Sequence, residues 1–250
     1  MNVNQQINQR IKTYEKTLLS DALDYSPLQK KSYEHDWIKS IEPLCMQLNH
    51  VLNQEIFLKK NESSVQLHRS DSPTIFQEKE AQLDLELTKL RMITFGQGFL
   101  LSKSNKRMSI DLPLQIWACL RAVQRIAHFY GFSSRSSFEA IYTMRILNYS
   151  FLPSKAKLEE WNLLAEEMND ARNNQPLYFG KEDIVSQETG QVLIKQVAKW
   201  AIISQINHSK LPGKRFLSGV INAGTTYRQV KTTTIDSRMF YSKRWLIMNT

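Results

Sequence analysis

Residues 111–132 read DLPLQIWACLRAVQRIAHFYGF, and their spacing decides which kind of fold to expect. Ile116, Leu120, Val123, Ala127 and Tyr130 recur at intervals of three and four, which makes one apolar stripe on a cylinder of 3.6 residues per turn. Arg121, Gln124, Arg125 and His128 fall elsewhere and predict an opposite, polar face. Gly131 follows the last periodic residue, where a left-handed cap stops a helix. The periodicity continues upstream. Ile7, Ile11, Tyr14, Leu18, Ala22 and Tyr25 form a stripe that Ser26-Pro27 ends, because the residue before proline avoids helical dihedrals. Trp37, Ile41, Leu44, Leu48, Leu52 and Ile56 form another, and Pro43 inside it predicts a kink or a junction near Glu42. Ser72-Pro73 reads as an N-cap and a first helical residue, with Leu83, Leu87 and Leu90 on the stripe beyond. FGQGFLL (95–101) and then a polar tract, SKSNKR, predicted as an exposed turn, complete the approach to residue 111.

Downstream, helices are expected over 134–150 and 154–170, the second with Glu159, Glu160, Glu166 and Glu167 on wet positions. A loop is expected over 171–183. VLIKQVAKWAIISQI (192–206) predicts a buried core helix, since 15 residues with two lysines are too short and too charged to span a bilayer. Leu211-Pro212-Gly213 is a break, and in the last helix Gly219, Ala223 and Thr226 share one side. No alternating pattern persists, and 8 glycines and 7 prolines in 250 residues supply few turns. The expected fold is all-α, a multi-helix bundle of long antiparallel helices. The polar stretch 59–72 is its predicted linker, dividing an N-terminal helical segment (1–71) that packs on a main body (72–250).

Two cysteines, Cys45 and Cys119, exclude a disulfide scaffold or a multi-cysteine zinc module. No apolar run reaches the length of a membrane span, and the first 16 residues lack the core of a secretory signal, so a cytoplasmic chain is expected. The net charge of +9 is uneven. Residues 101–150 carry seven Lys/Arg against two Asp/Glu, and residues 207–250 carry eight against one, while the rest is slightly acidic. If these two segments pack together they make a positive face, suited to phosphates of lipid headgroups or nucleic acid.

Specific residues carry a family likeness. The Asp-Leu-Pro opening and the Ile-Ala-x-x-Tyr-Gly ending of 111–132 resemble a helix of the EcsC protein family, and FGQG (95–98) looks like that family's glycine-bearing stretch. LPGKRFLSGVINAGTTYRQV (211–230) with RMFYSKRWL (238–246) is similar to its C-terminal signature. The resemblance covers roughly 72–250. It implies a helical, bacterial, cytoplasmic protein, peripheral to the membrane and associated with an ABC transporter, of no established activity. Here FGQGFLL passes quickly into charged residues, which argues against a membrane-inserting hairpin.

No catalytic residue, cofactor or metal site is expected. The five histidines, His35, His50, His68, His128 and His208, lack ligand spacing. No Gly-x-Ser-x-Gly elbow exists, Cys119 and Cys45 sit in apolar settings, and Gly96-x-Gly98 lacks the rest of a phosphate loop. The family-like polar positions Asp111, Tyr130, Asn222, Tyr227, Arg228, Tyr241 and Arg244 predict either a polar pocket between two helices or, as favoured here, a buried network that fixes helix register. In that network Asp111 caps its helix and Arg244 pairs with a carboxylate. The predicted basic face is Arg121, Arg125, Lys214, Arg215, Lys243 and Arg244. The leading expectation is a non-catalytic accessory or scaffold protein that meets an anionic membrane or a membrane-transporter partner through this face. The alternatives are a hydrolase-like enzyme or phosphate-ligand binder with the polar pocket, and non-specific nucleic-acid binding.

Overall fold

The computed structural model describes residues 2–23, 65–101, 107–132, 137–172, 196–197 and 215–249. They form six helices and no strand: α1 (Val3–Leu23), α2 (Pro73–Leu101), α3 (Arg107–Phe129), α4 (Ser137–Phe151), α5 (Ser154–Arg172) and α6 (Arg215–Asn249). The side chains of 94–101, 107–113, 137–138, 170–172 and 215–225 lie outside the described residues, as do the predicted helix over 37–56 and most of 192–206. Of the latter, 196–197 are helical and Val197 is fully buried.

Local chemistry sets the helix ends. At α1, Asn2 Oδ1 accepts from the Gln5 N–H at 2.8 Å while Gln5 Oε1 accepts from the Asn2 N–H at 3.1 Å, a reciprocal cap. At α2, the Ser72 hydroxyl accepts from the Ile75 N–H at 3.3 Å and Pro73 opens the helix, as the sequence predicts. Gly131 stops α3 with φ +88°, and its N–H donates to His128 O at 2.9 Å. Within the predicted linker stretch, the Leu67 N–H donates to Phe129 O at 2.6 Å and Leu67 is buried, so the entry to α2 is pinned to the end of α3.

α6 is the hub. Its 35 residues, about 50 Å of helix, touch each of the other five helices. Against α3 the direction is parallel, since Cys119 meets Thr233 and Phe132 stacks on Tyr241 with ring centroids 5.6 Å apart. The expected all-α bundle thus includes one parallel pair of long helices beside its antiparallel ones. α4 does run against α6, with Glu139 beside Arg244 and Ser150 beside Thr233. α2 runs against α3: Arg125 Nη1 donates to Glu86 O at 3.1 Å, and five residues farther along α3's course Tyr130 lies in the field of the earlier Glu80.

A helix with five neighbours cannot show one apolar face and one wet one. α6 instead buries Val230, Phe240, Tyr241 and Trp245 together with Thr233, Thr234, Ser237 and Ser242. Three of the hydroxyls are satisfied inside the helix, Thr234 donating to Val230 O, Ser237 to Thr233 O and Ser242 to Met239 O at 2.6–3.0 Å, while Thr233 donates to the Ser150 hydroxyl of α4 at 2.8 Å. α3 is nearly as enclosed. Ala118, Cys119, Ala122, Val123 and also Gln124 are buried, so Gln124 does not belong to the polar face predicted for it.

Candidate functional site

Where α1, α4, α5 and α6 meet, four polar side chains join in one chain of contacts. The Tyr14 hydroxyl donates to Asp236 Oδ1 at 2.8 Å and lies 2.7 Å from the Tyr149 hydroxyl. With its proton directed at Asp236, Tyr14 accepts the proton of Tyr149. Lys157 Nζ completes the group, 2.6 Å from Asp236 Oδ2 and 5.3 Å from the Tyr149 ring centroid. Asp236 is 3% exposed. Burial raises the pKa of its carboxyl above the usual value and outweighs the attraction of Lys157. Burial, and then the charge of Asp236, raise Tyr14 and Tyr149 as well, so both stay protonated hydrogen-bond donors. Trp161 stands edge-on to Tyr14 at 5.2 Å and donates its indole N–H to Glu15 Oε1 at 3.1 Å, and Lys243 Nζ reaches the same oxygen at 2.6 Å. The arrangement joins four helices at one point and holds protons in fixed places.

A second cluster lies near the end of α6. Arg244 pairs with Glu139 at 2.6 Å, both side chains 9% exposed. Its guanidinium also lies 4.2 Å from the Phe132 ring centroid and 4.8 Å from that of Tyr142. Tyr241, fully buried, faces Thr143 and Glu139, and burial raises its pKa. A third cluster surrounds Tyr130, whose hydroxyl meets Ser242 in the field of Arg238, Glu80 and Arg10. Arg238 is tied to Asp84 at 2.5 Å.

The predicted pocket residues therefore divide. Tyr130, Tyr241 and Arg244 are core side chains in two different clusters, while Tyr227 and Arg228 are exposed. The described members thus fall in separate places, and Arg244 holds a carboxylate. Asp111 lies within α3, whose first residue is Arg107, so it does not cap that helix. The side chains of Asp111 and Asn222 lie outside the described residues.

The predicted basic face divides too. Arg244 is buried against Glu139, and Lys243 is bonded to Glu15. Arg121 stacks over Trp117 at 5.1 Å, and Arg125 reaches the α2 backbone at Glu86 O. These four cations thus face different neighbours instead of one plane. The Arg215 side chain and all of Lys214 lie outside the described residues. The wet face predicted for α5 needs the same correction, since Glu160 and Glu167 both bond Arg145 of α4, the former at 2.9 Å.

An open groove lies elsewhere. A groove of about 420 Å³ runs between the start of α1 and the end of α6, lined by Asn4, Asn8, Lys12, Lys243, Leu246 and Ile247 among others. No group of three or more His, Cys, Asp or Glu able to hold a metal is present among the described residues. Cys119 is fully buried, and burial pushes its thiol up to about 12.

Sequence reasoning missed the Asp236 group because its members come from four helices up to 222 positions apart. One signal was present. Asp236 is the single acid among the last 44 residues, and Glu139 is one of only two in 101–150. An acid isolated in a basic stretch, within helical spacing of apolar residues, is a candidate for burial with a cation.

Comparison with known proteins adds one finding. No curated protein and no solved structure matches the chain. The model of the EcsC protein family matches residues 2–246, which takes in α1 and extends the likeness well beyond 72–250. On that match, spanning nearly the whole chain, the protein belongs to the EcsC protein family.

Proposed function

We propose that the protein is a non-catalytic accessory protein that docks reversibly on an anionic membrane surface, where a transporter partner would also be met. The observation that carries this reading is the parallel course of α3 and α6. Because α3 and α6 run the same way and α2 runs against α3, α2 ends while α3 and α6 begin at one end of the bundle. In sequence, Lys103, Lys106 and Arg107 stand at the first junction, and Lys210, Lys214 and Arg215 stand ahead of or at the start of α6. Farther along α6, Arg238, Lys243 and Arg244 are engaged internally while Arg228 and Lys231 are exposed singly, and the proposal assigns the docking charge to the end where the sequence concentrates it. Each Lys or Arg near an anionic surface contributes about 1 kcal/mol, and six suffice for reversible attachment. No helix among the described residues is long and apolar enough to cross a membrane. The docking reading is preferred to the pocket alternative because the described pocket residues fall in different clusters.

The test is co-sedimentation with vesicles of zwitterionic or anionic lipid. Binding should need the anionic lipid, weaken with salt, and fall at least about tenfold for Lys214→Glu with Arg215→Glu. Equal binding to both vesicles would refute the reading. Equally tight binding to nucleic acid at the same salt would favour a general polyanion binder.

A further inference from the structure

The exposed apolar side chains of α2 are unevenly placed. Ile75 stands alone near its start, while Leu85, Met92 and Ile93 are 52–67% exposed within nine residues of its second half. One exposed aliphatic residue needs no explanation, but a group of three forms a patch. α6 continues it. Arg238 is tied to Asp84, and α2 runs against α6, so two turns from that pair Met92 comes level with Lys231. Tyr227 and Ile235 are exposed on the same stretch of α6. α2, α3 and α6 pack pairwise against one another, so the sides that α2 and α6 turn away from α3 adjoin and make one outward surface.

The charge on this surface has one sign. Residues 87–93 hold Lys89 and Arg91, residues 227–235 hold Arg228 and Lys231, and neither run contains Asp or Glu. Of the acids at its edge, Asp84 is held by Arg238 and Glu86 is half-buried. The four cations set a positive field over the patch, which selects an anionic partner. Aliphatic side chains standing among cations, over about 12 Å of each helix, suit a lipid surface. The aliphatic groups enter the acyl boundary while ammonium and guanidinium groups meet phosphates. A folded acidic protein would need a fitted hollow for each exposed side chain, whereas acyl chains receive them in any arrangement. The surface also leads to the end of the bundle where α2 stops and α6 starts.

We infer that this side of α2 and α6 lies flat on an anionic bilayer, with Leu85, Met92 and Ile93 entering the hydrocarbon boundary. The inference rests on the docking reading above. It adds an orientation, side-on instead of end-on, and an apolar component of binding that salt does not screen.

Site-specific labelling of the full chain tests it. In a chain carrying Cys45→Ser, a polarity-sensitive fluorophore is attached at Met92→Cys or, as a control on the same helix, at Ile75→Cys; the remaining Cys119 is fully buried. Anionic vesicles should shift the emission of the label at 92 to the blue, and lipids brominated along their acyl chains should quench it about twofold, with the label at 75 unchanged. Leu85→Ser with Met92→Ser should weaken vesicle binding about tenfold at about 0.5 M salt, where the charge contribution is screened. Co-sedimentation with anionic vesicles and no response at 92 would overturn the inference and leave the docking reading standing, while failure to co-sediment would overturn both. A response at 92 to polyglutamate without vesicles, or one that grows with protein concentration in buffer alone, would overturn it in favour of an acidic protein or a second copy.

Discussion

The inner side of α6 and its outward strip carry the same kinds of residue and use them in opposite ways. Inside, Arg238, Lys243 and Arg244 are bonded to Asp84, Glu15 and Glu139, and each carboxylate comes from a different helix. Outside, Tyr227, Arg228, Lys231 and Ile235 face solvent, and neither Arg228 nor Lys231 pairs with a carboxylate among the described residues. The contrast teaches that a basic stretch does not by itself mark a docking surface. A cation enclosed with an acid fixes the position of a helix, while one on the open strip contributes only to the field around the molecule.

The sharpest way to break this comparison is Arg244→Ala. Glu139 would lose the cation that shares its enclosed site, and the cost should be about 3–5 kcal/mol, read as a fall in the urea midpoint. Replacing the pair together, Arg244→Met with Glu139→Leu, should recover most of that loss, since two apolar groups need no mutual compensation. A single substitution costing no more than one at Arg228 would show that the inner side is not special.

Lys243→Met should cost about 1 kcal/mol or less, because Glu15 is 36% exposed at its side chain and water can replace the lost partner. Its expected signature is faster amide exchange in α1 without a matching change in α4, whose Glu139 pairs elsewhere.

Asp236→Asn separates burial from charge. Because burial holds the Asp236 carboxyl above its ordinary 3.8, the folded state binds the proton more tightly than the unfolded state does. The contribution of this group is therefore complete below about pH 4 and declines as pH rises through the folded value. The asparagine variant should lie within about 1 kcal/mol of the parent near pH 4 and gain on it toward pH 7. Melting curves at the two pH values check the sign, and a variant that loses ground as pH rises would show that Lys157 dominates. At the small end, Arg228→Ala and Lys231→Ala should each stay within about 0.5 kcal/mol, measured by the same urea titration.

Legibility in the sequence followed the number of neighbours a helix has. α1 and α2 each keep an exposed side, so their periodicity showed, and the Ser72-Pro73 start and the Gly131 stop could be read from residue types with fixed backbone demands. α6 was harder. Surrounded by five helices, it buries threonines and serines whose hydroxyls return to its own carbonyls, and these count as polar in any pattern. The pocket and basic-face expectations met the same difficulty at their described residues. They took residue type as a guide to exposure, and Arg244 is a guanidinium enclosed between two aromatic rings and a carboxylate.

By itself the amino-acid order determined the all-helical class, several helix ends and the family likeness, because each depends on spacing along the chain or on the dihedral preferences of single residues. Which charges meet was decided only by the tertiary structure. Tyr14, Tyr149, Lys157 and Asp236 become one group through the packing of four helices, and burial then decides whether an ionisable side chain acts as a surface charge or as a structural fastening. That depends on distance and dielectric in three dimensions, which no spacing along the chain encodes.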